Sequence, residues 1–179
     1  MTGPPSGPDL SSPPAFTLPA ALLSGGFQVR PETEADVAFL RSLYASTRAE
    51  EMAKAPWSEA QKAHFLGLQF DAQRAHYRGT MPDAQYLVIE HRGAPIGRLY
   101  LDRGQEILNL VDIAFMPAWR GQGIGGQIMD QVLALADQER RVTVLFVERF
   151  NRALNLYRRL GFSDVRDHDI YLEMERAPG

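Results

Sequence analysis

Apolar and polar residues alternate along this chain in three successive periods. Phe27-Gln28-Val29-Arg30 alternates as a short strand does and is stopped by Pro31. Thr33-Glu34-Ala35-Asp36 has the form of a capping box, and Val37, Leu40, Tyr44 and Thr47 follow at helical spacing, which predicts a helix to about Met52. Ser58-Glu59-Ala60-Gln61 is a second capping box after Pro56. Leu66, Phe70 and Tyr77 mark the buried face of its helix as far as Gly79. Beyond Pro82 the period turns to strands: Tyr86 to Glu90, Ile96 to Leu101 and Ile107 to Phe115, separated by turns at Arg92-Gly93-Ala94-Pro95 and Asp102-Arg103-Gly104-Gln105. This spacing predicts a three-stranded antiparallel meander. Ile124, Ile128, Val132, Leu135 and Ala136 then trace a helix ending near Gln138 to Arg141, and Val142 to Val147 is apolar enough for a strand buried on both faces and parallel to its predecessor. Asn151 opens a helix through Leu160, closed by Gly161, and Phe162 to Val165 and Ile170 to Met174 are the last strands. The order is β α α β β β α β α β β.

Composition narrows the classes of function. The 179 residues carry a net charge of −3 and a pI near 5.8, which offers no electrostatic footprint for nucleic acid or an anionic membrane. Cysteine is absent, so thiolate nucleophiles, disulfides and thiolate metal sites are excluded; with no export signal apparent, a cytoplasmic protein is expected. His64, His76, His91 and His168 lack metal-ligand spacing, and no metal is expected. Residues 1–25 hold six of the twelve prolines and no Lys or Arg, and are expected as a flexible extension ahead of a single domain over 26–179. Docking of Phe16, Leu18, Leu22 and Leu23 on a partner subunit is the alternative, and a homodimer stays open.

The chemistry is concentrated between the third meander strand and the following helix. Four glycines, at 121, 123, 125 and 126, let successive N–H groups converge on one oxyanion where the helix begins, a phosphate cradle. Gly121-Gln122-Gly123-Ile124-Gly125-Gly126 also satisfies the dinucleotide fingerprint, and Glu148 follows near the spacing of a ribose-binding acid. However, Met116-Pro117-Ala118-Trp119-Arg120 intervenes between strand and glycines, and too little chain follows Glu148 to complete a doubly wound sheet. A P-loop is excluded because no Gly-Lys-Ser/Thr follows.

Asp112 to Pro117 followed by Arg120-Gly121-Gln122-Gly123-Ile124-Gly125 resembles the acyl-CoA signature of the GNAT family of N-acetyltransferases. Asn151 to Phe162, with its Leu156-Tyr157 and Gly161-Phe162 pairs, resembles that family's later motif. The resemblance extends over roughly Phe27 to Glu175. It implies an α/β (α+β) fold: a mixed, mostly antiparallel sheet of about seven strands flanked by four helices, with a parallel pair at the cofactor site. It also implies acetyl-CoA as co-substrate and direct transfer to a primary amine of a small molecule or peptide. The pyrophosphate is then expected on Gly121, Gln122, Gly123, Ile124, Gly125 and Gly126 with Arg120 beside it, the pantetheine along Ile113, Ala114 and Phe115, Asn151 at the cofactor, and Tyr157 as general acid. The acceptor is expected between Glu50 and Gly79. Its general base is left open: Asp112 is a candidate, but a structural bond to a neighbouring backbone group or Arg is the stronger reading, and Tyr100, Asp102 and Glu90 are weaker. Trp57 is either a ligand contact or stapled to its helix. A module that binds acyl-CoA without turnover is the alternative function.

Overall fold

The computed structural model describes residues 16–179. Seven strands form one sheet in the order β1-β2-β3-β4-β5-β7-β6: β1 (Phe27–Pro31), β2 (Gln85–His91), β3 (Ala94–Arg103), β4 (Ile107–Phe115), β5 (Val142–Glu148), β6 (Ser163–His168) and β7 (Tyr171–Arg176). Only β4 and β5 run parallel, which is the mixed, mostly antiparallel sheet expected.

Helices α1 (Ala20–Ser24), α2 (Val37–Thr47), α3 (Ala49–Met52), α4 (Glu59–Thr80), α5 (Ile124–Gln138) and α6 (Leu154–Arg159) complete the described residues, with two short 3-10 turns. Both capping boxes form. The Thr33 N–H donates to the Asp36 carboxylate at 2.8 Å, and at the start of α4 Gln61 Oε1 accepts the Ser58 N–H at 2.9 Å while Ser58 Oγ accepts the Gln61 N–H. The helix expected to run to Met52 is interrupted at Arg48, whose ψ of 5° leaves the helical region, giving α2 and α3. Trp57 is half exposed and meets Phe65 of α4 edge-on at 5.1 Å, closer to the stapled reading.

Two cores lie on opposite faces of the sheet. One face packs α5 through Ile124, Ile128, Met129, Val132 and Ala136 against Leu99, Leu101, Leu108, Leu110 and Leu145. The other packs Leu40, Leu43 and Tyr44 of α2 and Leu66 and Phe70 of α4, with Ala114 and Met116 beneath them. The N-terminal expectation needs correction. Phe16, Leu18 and Leu22 are buried in the α5-side core, and α1 is a formed helical turn; residues 16–25 are therefore part of the domain, not of a flexible extension, and these three side chains are spent on their own subunit. The proline content of residues 1–25 misrepresents this part, which holds only Pro19, because three large apolar side chains at spacing that reaches one core repay the ordering entropy. The rest of the expected extension lies outside the described residues. Among the described residues no helix is long and apolar enough to cross a membrane.

Candidate functional site

The site begins with one extra residue. Along β3 and β4 the pairing runs Tyr100 to Asp112 but Leu101 to Leu110, so Val111 is left over as a β-bulge. A bulge bends and twists its strand locally. The consequence falls on the far side of β4, where pairing with β5 stops at Leu110 and Leu145 and the two strands separate. The Met116 N–H donates to Ile96 O across on β3 at 2.8 Å. By strand alternation Ala114 also faces β3, and the backbone groups of Ile113 and Phe115 point into the gap. Of the expected Ile113-Ala114-Phe115 edge, the first and last are thus available to an extended ligand. The Phe115 carbonyl is taken by Arg120 Nε at 2.8 Å.

The glycine turn closes the end of this gap. Gly121 and Gly123 have φ of 72° and 80°, the left-handed region that L side chains resist, and a Cβ on either would meet nothing within 4 Å. The backbone here is open towards free space. The N–H groups of Gly121, Gln122, Gly123, Ile124, Gly125 and Gly126 have no acceptor among the described residues; the first bond of α5 is Gln127 N–H to Gly123 O. Six adjacent donors without acceptors, at the positive end of a 15-residue helix, suit a diphosphate. Arg120 does not stand free beside them. Besides the Phe115 carbonyl it holds Ser46 Oγ at 2.7 Å and Ser46 O at 3.3 Å, bracing the turn against the end of α2.

The gap widens into a cleft of about 220 Å³. Its floor is Leu110 to Ile113 of β4 and Leu145 to Glu148 of β5; its walls are Tyr44 and Thr47 of α2, Arg48 at the break between α2 and α3, Gln73 and Tyr77 of α4, and Asn151, Tyr157 and Tyr171. Tyr157 packs edge-on against Phe162, and its hydroxyl has no hydrogen-bond partner among the described residues. Burial, with the Asp112 carboxylate as a lesser cause, pushes its phenol up to about 12, so the O–H stays protonated at neutral pH. Asn151 sits at the mouth. Its Oδ1 accepts the Ala153 N–H at 2.9 Å, so it opens the turn ahead of α6, which itself starts only at Leu154.

Asp112 has the structural bond expected of it. Its Oδ2 accepts from Arg98 Nη2 at 2.7 Å, and Arg98, 3% exposed, also donates to Gln73 Oε1 at 3.0 Å. The other oxygen, Oδ1, has no partner. Of the weaker candidates for a base, Tyr100 is committed to Glu32 at 2.6 Å and Glu90 to Gln28 and Arg30, and none of Tyr100, Glu90 or Asp102 lines the cleft. Sequence reasoning missed Arg48, Arg98 and Tyr171 altogether and read Tyr44 and Tyr77 only as helix-face positions. None carries a local motif, because they converge from α2, α4, β3, β7 and the break at Arg48.

Residues 82–164 match the model of the acetyltransferase (GNAT) domain family. The matched segment takes in both the glycine-turn and Asn151 motifs and supports an acyltransferase. Solved structures agree on the fold. One is the PaiA N-acetyltransferase of Thermoplasma acidophilum in complex with coenzyme A, 15% identical, covering 84% of this chain and 98% of its own with a TM-score of 0.63. Another is the histone acetyltransferase HPA2 and related acetyltransferase of Corynebacterium glutamicum, 20% identical, covering 86% and 97%, TM-score 0.60. The ribosomal-protein-S18-alanine N-acetyltransferase of Escherichia coli is 17% identical over 84% and 93%, TM-score 0.55. No curated protein matches in sequence.

Proposed function

We propose that this protein transfers an acetyl group from acetyl-CoA directly to the primary amine of a small molecule or peptide. One observation carries the reading: the acceptor-free amides of Gly121 to Gly126 continue into the open edge at Ile113 and Phe115 and end at the unpartnered hydroxyl of Tyr157. Phosphate, an amide-bearing arm and a reacting sulfur need these three features in that order. The coenzyme A bound to the Thermoplasma relative supports the same donor. The glycine amides would hold the diphosphate, Ile113 and Phe115 would pair with the arm, and Asn151 stands at the mouth. When bound, the donor supplies an activated thioester.

With no cysteine in the chain, direct attack is favoured over an acyl-cysteine route. The acceptor ammonium first gives one proton to a carboxylate or water; the amine nitrogen then attacks the thioester carbonyl carbon, the C–N bond forms, the C–S bond breaks with its electron pair on sulfur, and the second nitrogen proton passes to the departing thiolate or to solvent. Tyr157 holds its proton close to that sulfur. A phenol near 12 facing a thiol of ordinary pKa about 8.5 hydrogen-bonds the departing thiolate more readily than it fully protonates it. Tyr157 therefore acts here as an oxyanion-type donor towards sulfur rather than as a complete acid. The absence of cysteine also supports a cytoplasmic setting.

Calorimetric titration with acetyl-CoA, with CoA and NAD as comparison ligands, tests the donor site. Binding of acetyl-CoA without response to NAD supports it, and binding of NAD alone overturns it. Thiol release in the presence of amines then separates an enzyme from a module that only senses acyl-CoA.

A further inference from the structure

Two carboxylate oxygens of the cleft have nothing donated to them among the described residues, Asp112 Oδ1 and Glu148 Oε2, and the Asp112 side chain is the deeper, 17% exposed against 36%. Asp112 is carried into the cleft by the bulge at Val111, and Arg98 fixes its Oδ2 while Oδ1 stays unpartnered. An ionised carboxylate oxygen accepts only, and an ammonium group is the donor that matches it in both charge and hydrogen-bonding capacity. Tyr77 and Tyr157 stand close enough for the Asp112 charge to raise both phenols, and neither hydroxyl has a partner. The other two charged groups of the cleft are paired at its rim through one carboxylate oxygen. Arg48 Nη1 donates to Glu148 Oε1 at 2.5 Å, and the Arg48 guanidinium lies 5.8 Å from the Tyr44 ring centre. No cation is left over for an acceptor's carboxylate.

Size follows from the same pair. Arg48 and Glu148 tie the end of α2 to the end of β5 across the cleft, and Glu50 and Arg152 are paired beside them at 3.2 Å. An acceptor that continues as a chain through this side has to break the strap. The remaining wall is half-exposed ring surface, from Phe146 and Tyr171.

We propose that the acceptor's ammonium group is received by Asp112 Oδ1 between Tyr77 and Tyr157, and that the acceptor is a compact primary amine with an apolar or aromatic body and no carboxylate. This rests on the acetyl-transfer reading above. The rings then serve twice, covering the apolar body and attracting the cation.

The test uses the full-length protein, acetyl-CoA, and 2-phenylethylamine and trialanine as acceptors, with thiol release and acetyl-CoA calorimetry as readouts. Wild-type protein acetylates 2-phenylethylamine in preference to trialanine, and neutral 2-phenylethanol fails to compete. Asp112→Asn raises the KM for 2-phenylethylamine at least tenfold while the acetyl-CoA Kd stays within twofold. Tyr77→Leu, which leaves the Arg98 pair intact, raises the same KM and so keeps the inference testable if Asp112→Asn unfolds. Preference for trialanine, or an unchanged KM in a folded Asp112→Asn protein, overturns it. Failure of the wild-type protein to bind acetyl-CoA is a separate result: it removes the acetyl-transfer reading and this inference falls with it.

Discussion

Replacing Gly123 by Glu separates the cradle from the fold. Gly123 is the left-handed residue immediately before α5, and a Cβ there has open space. The folded state thus loses only the conformational strain of an L residue, about 1–2 kcal/mol, a fall in Tm of roughly 2–8 °C for a chain of this size. Binding is affected far more. A carboxylate brought to about 4 Å from one phosphate charge costs on the order of 4 kcal/mol at an effective dielectric of about 20, close to three decades in Kd. Two controls frame the result. Gly93, in the turn between β2 and β3, has a φ of 79° and equally open surroundings, so Gly93→Glu carries the same strain far from the cradle. Gly97→Ala is the reverse case: its Cβ would stand 2.5 Å from the Ala114 carbonyl oxygen and 2.9 Å from the Phe115 ring, so the fold suffers first. Calorimetric titration with acetyl-CoA beside thermal melts of the four proteins is the assay. The reasoning is refuted if Gly123→Glu binds within threefold of wild type, or if Gly93→Glu loses as much.

Tyr157→Phe removes the donor near sulfur and keeps the ring against Phe162; kcat for acetyl transfer should drop by about one to three orders of magnitude with the acetyl-CoA Kd little changed, and unchanged turnover removes the role. Leu22→Ala opens a cavity in the α5-side core and should cost about 2–5 kcal/mol in urea unfolding, whereas a stretch that merely trails in solvent would cost nothing. Asp36 is buried and gripped by both Arg30 Nη atoms at 2.7 Å, with the Arg30 bonds as the main cause of a carboxyl held far below its ordinary value. A depressed folded-state pKa gives stability that is present above the unfolded value, about 3.9, and is lost as pH falls below it towards the folded value. Asp36→Asn should therefore flatten the loss of stability between about pH 4 and pH 2, read from urea midpoints; an unchanged acid limb would rule Asp36 out as its source.

What the sequence made legible was whatever depends on neighbours in the chain. Ser58 and Gln61, or Thr33 and Asp36, satisfy each other within one turn, so their types and spacing carry the whole interaction. The glycines at 121 to 126 declare a backbone conformation directly. Asn151 and Tyr157 were singled out by the resemblance of their motif, yet their surroundings were not legible, since the Tyr157 environment is set by burial under other elements and by Asp112, 45 residues earlier. The N-terminal stretch misled for the complementary reason: its composition is that of an unfolded linker, and only the partner surface formed by β1, β2 and α5 makes Phe16, Leu18 and Leu22 core residues. Arg120 was assigned by its neighbours to phosphate, while Ser46, far away in sequence, supplies two of its bonds.

The bulge at Val111 shows why the acceptor side was the hardest part to read. Leu108 and Leu110 face α5, and strict alternation from them would send Asp112 into the same apolar core and turn Ile113 away from it. One unpaired residue reverses the phase: Ile113 and Phe115 continue the α5-side core, Ala114 and Met116 join the α2–α4 side, and Asp112 emerges in the cleft against Arg98. The same residue ends the ladder with β5 and so opens the edge on which a donor arm can lie. A charged residue inside an apolar strand would otherwise be a buried cost of several kcal/mol, so the bulge and the aspartate are a matched pair. Deleting Val111 makes the consequence measurable. It should make the β3–β4 ladder continuous while leaving Asp112 on its face, let β4 stay paired with β5 beyond Leu110 and so close the gap at Ile113, abolishing acetyl-CoA binding even though the glycine cradle is untouched. Retained binding in a folded Val111 deletion would show that the bulge does not build the site.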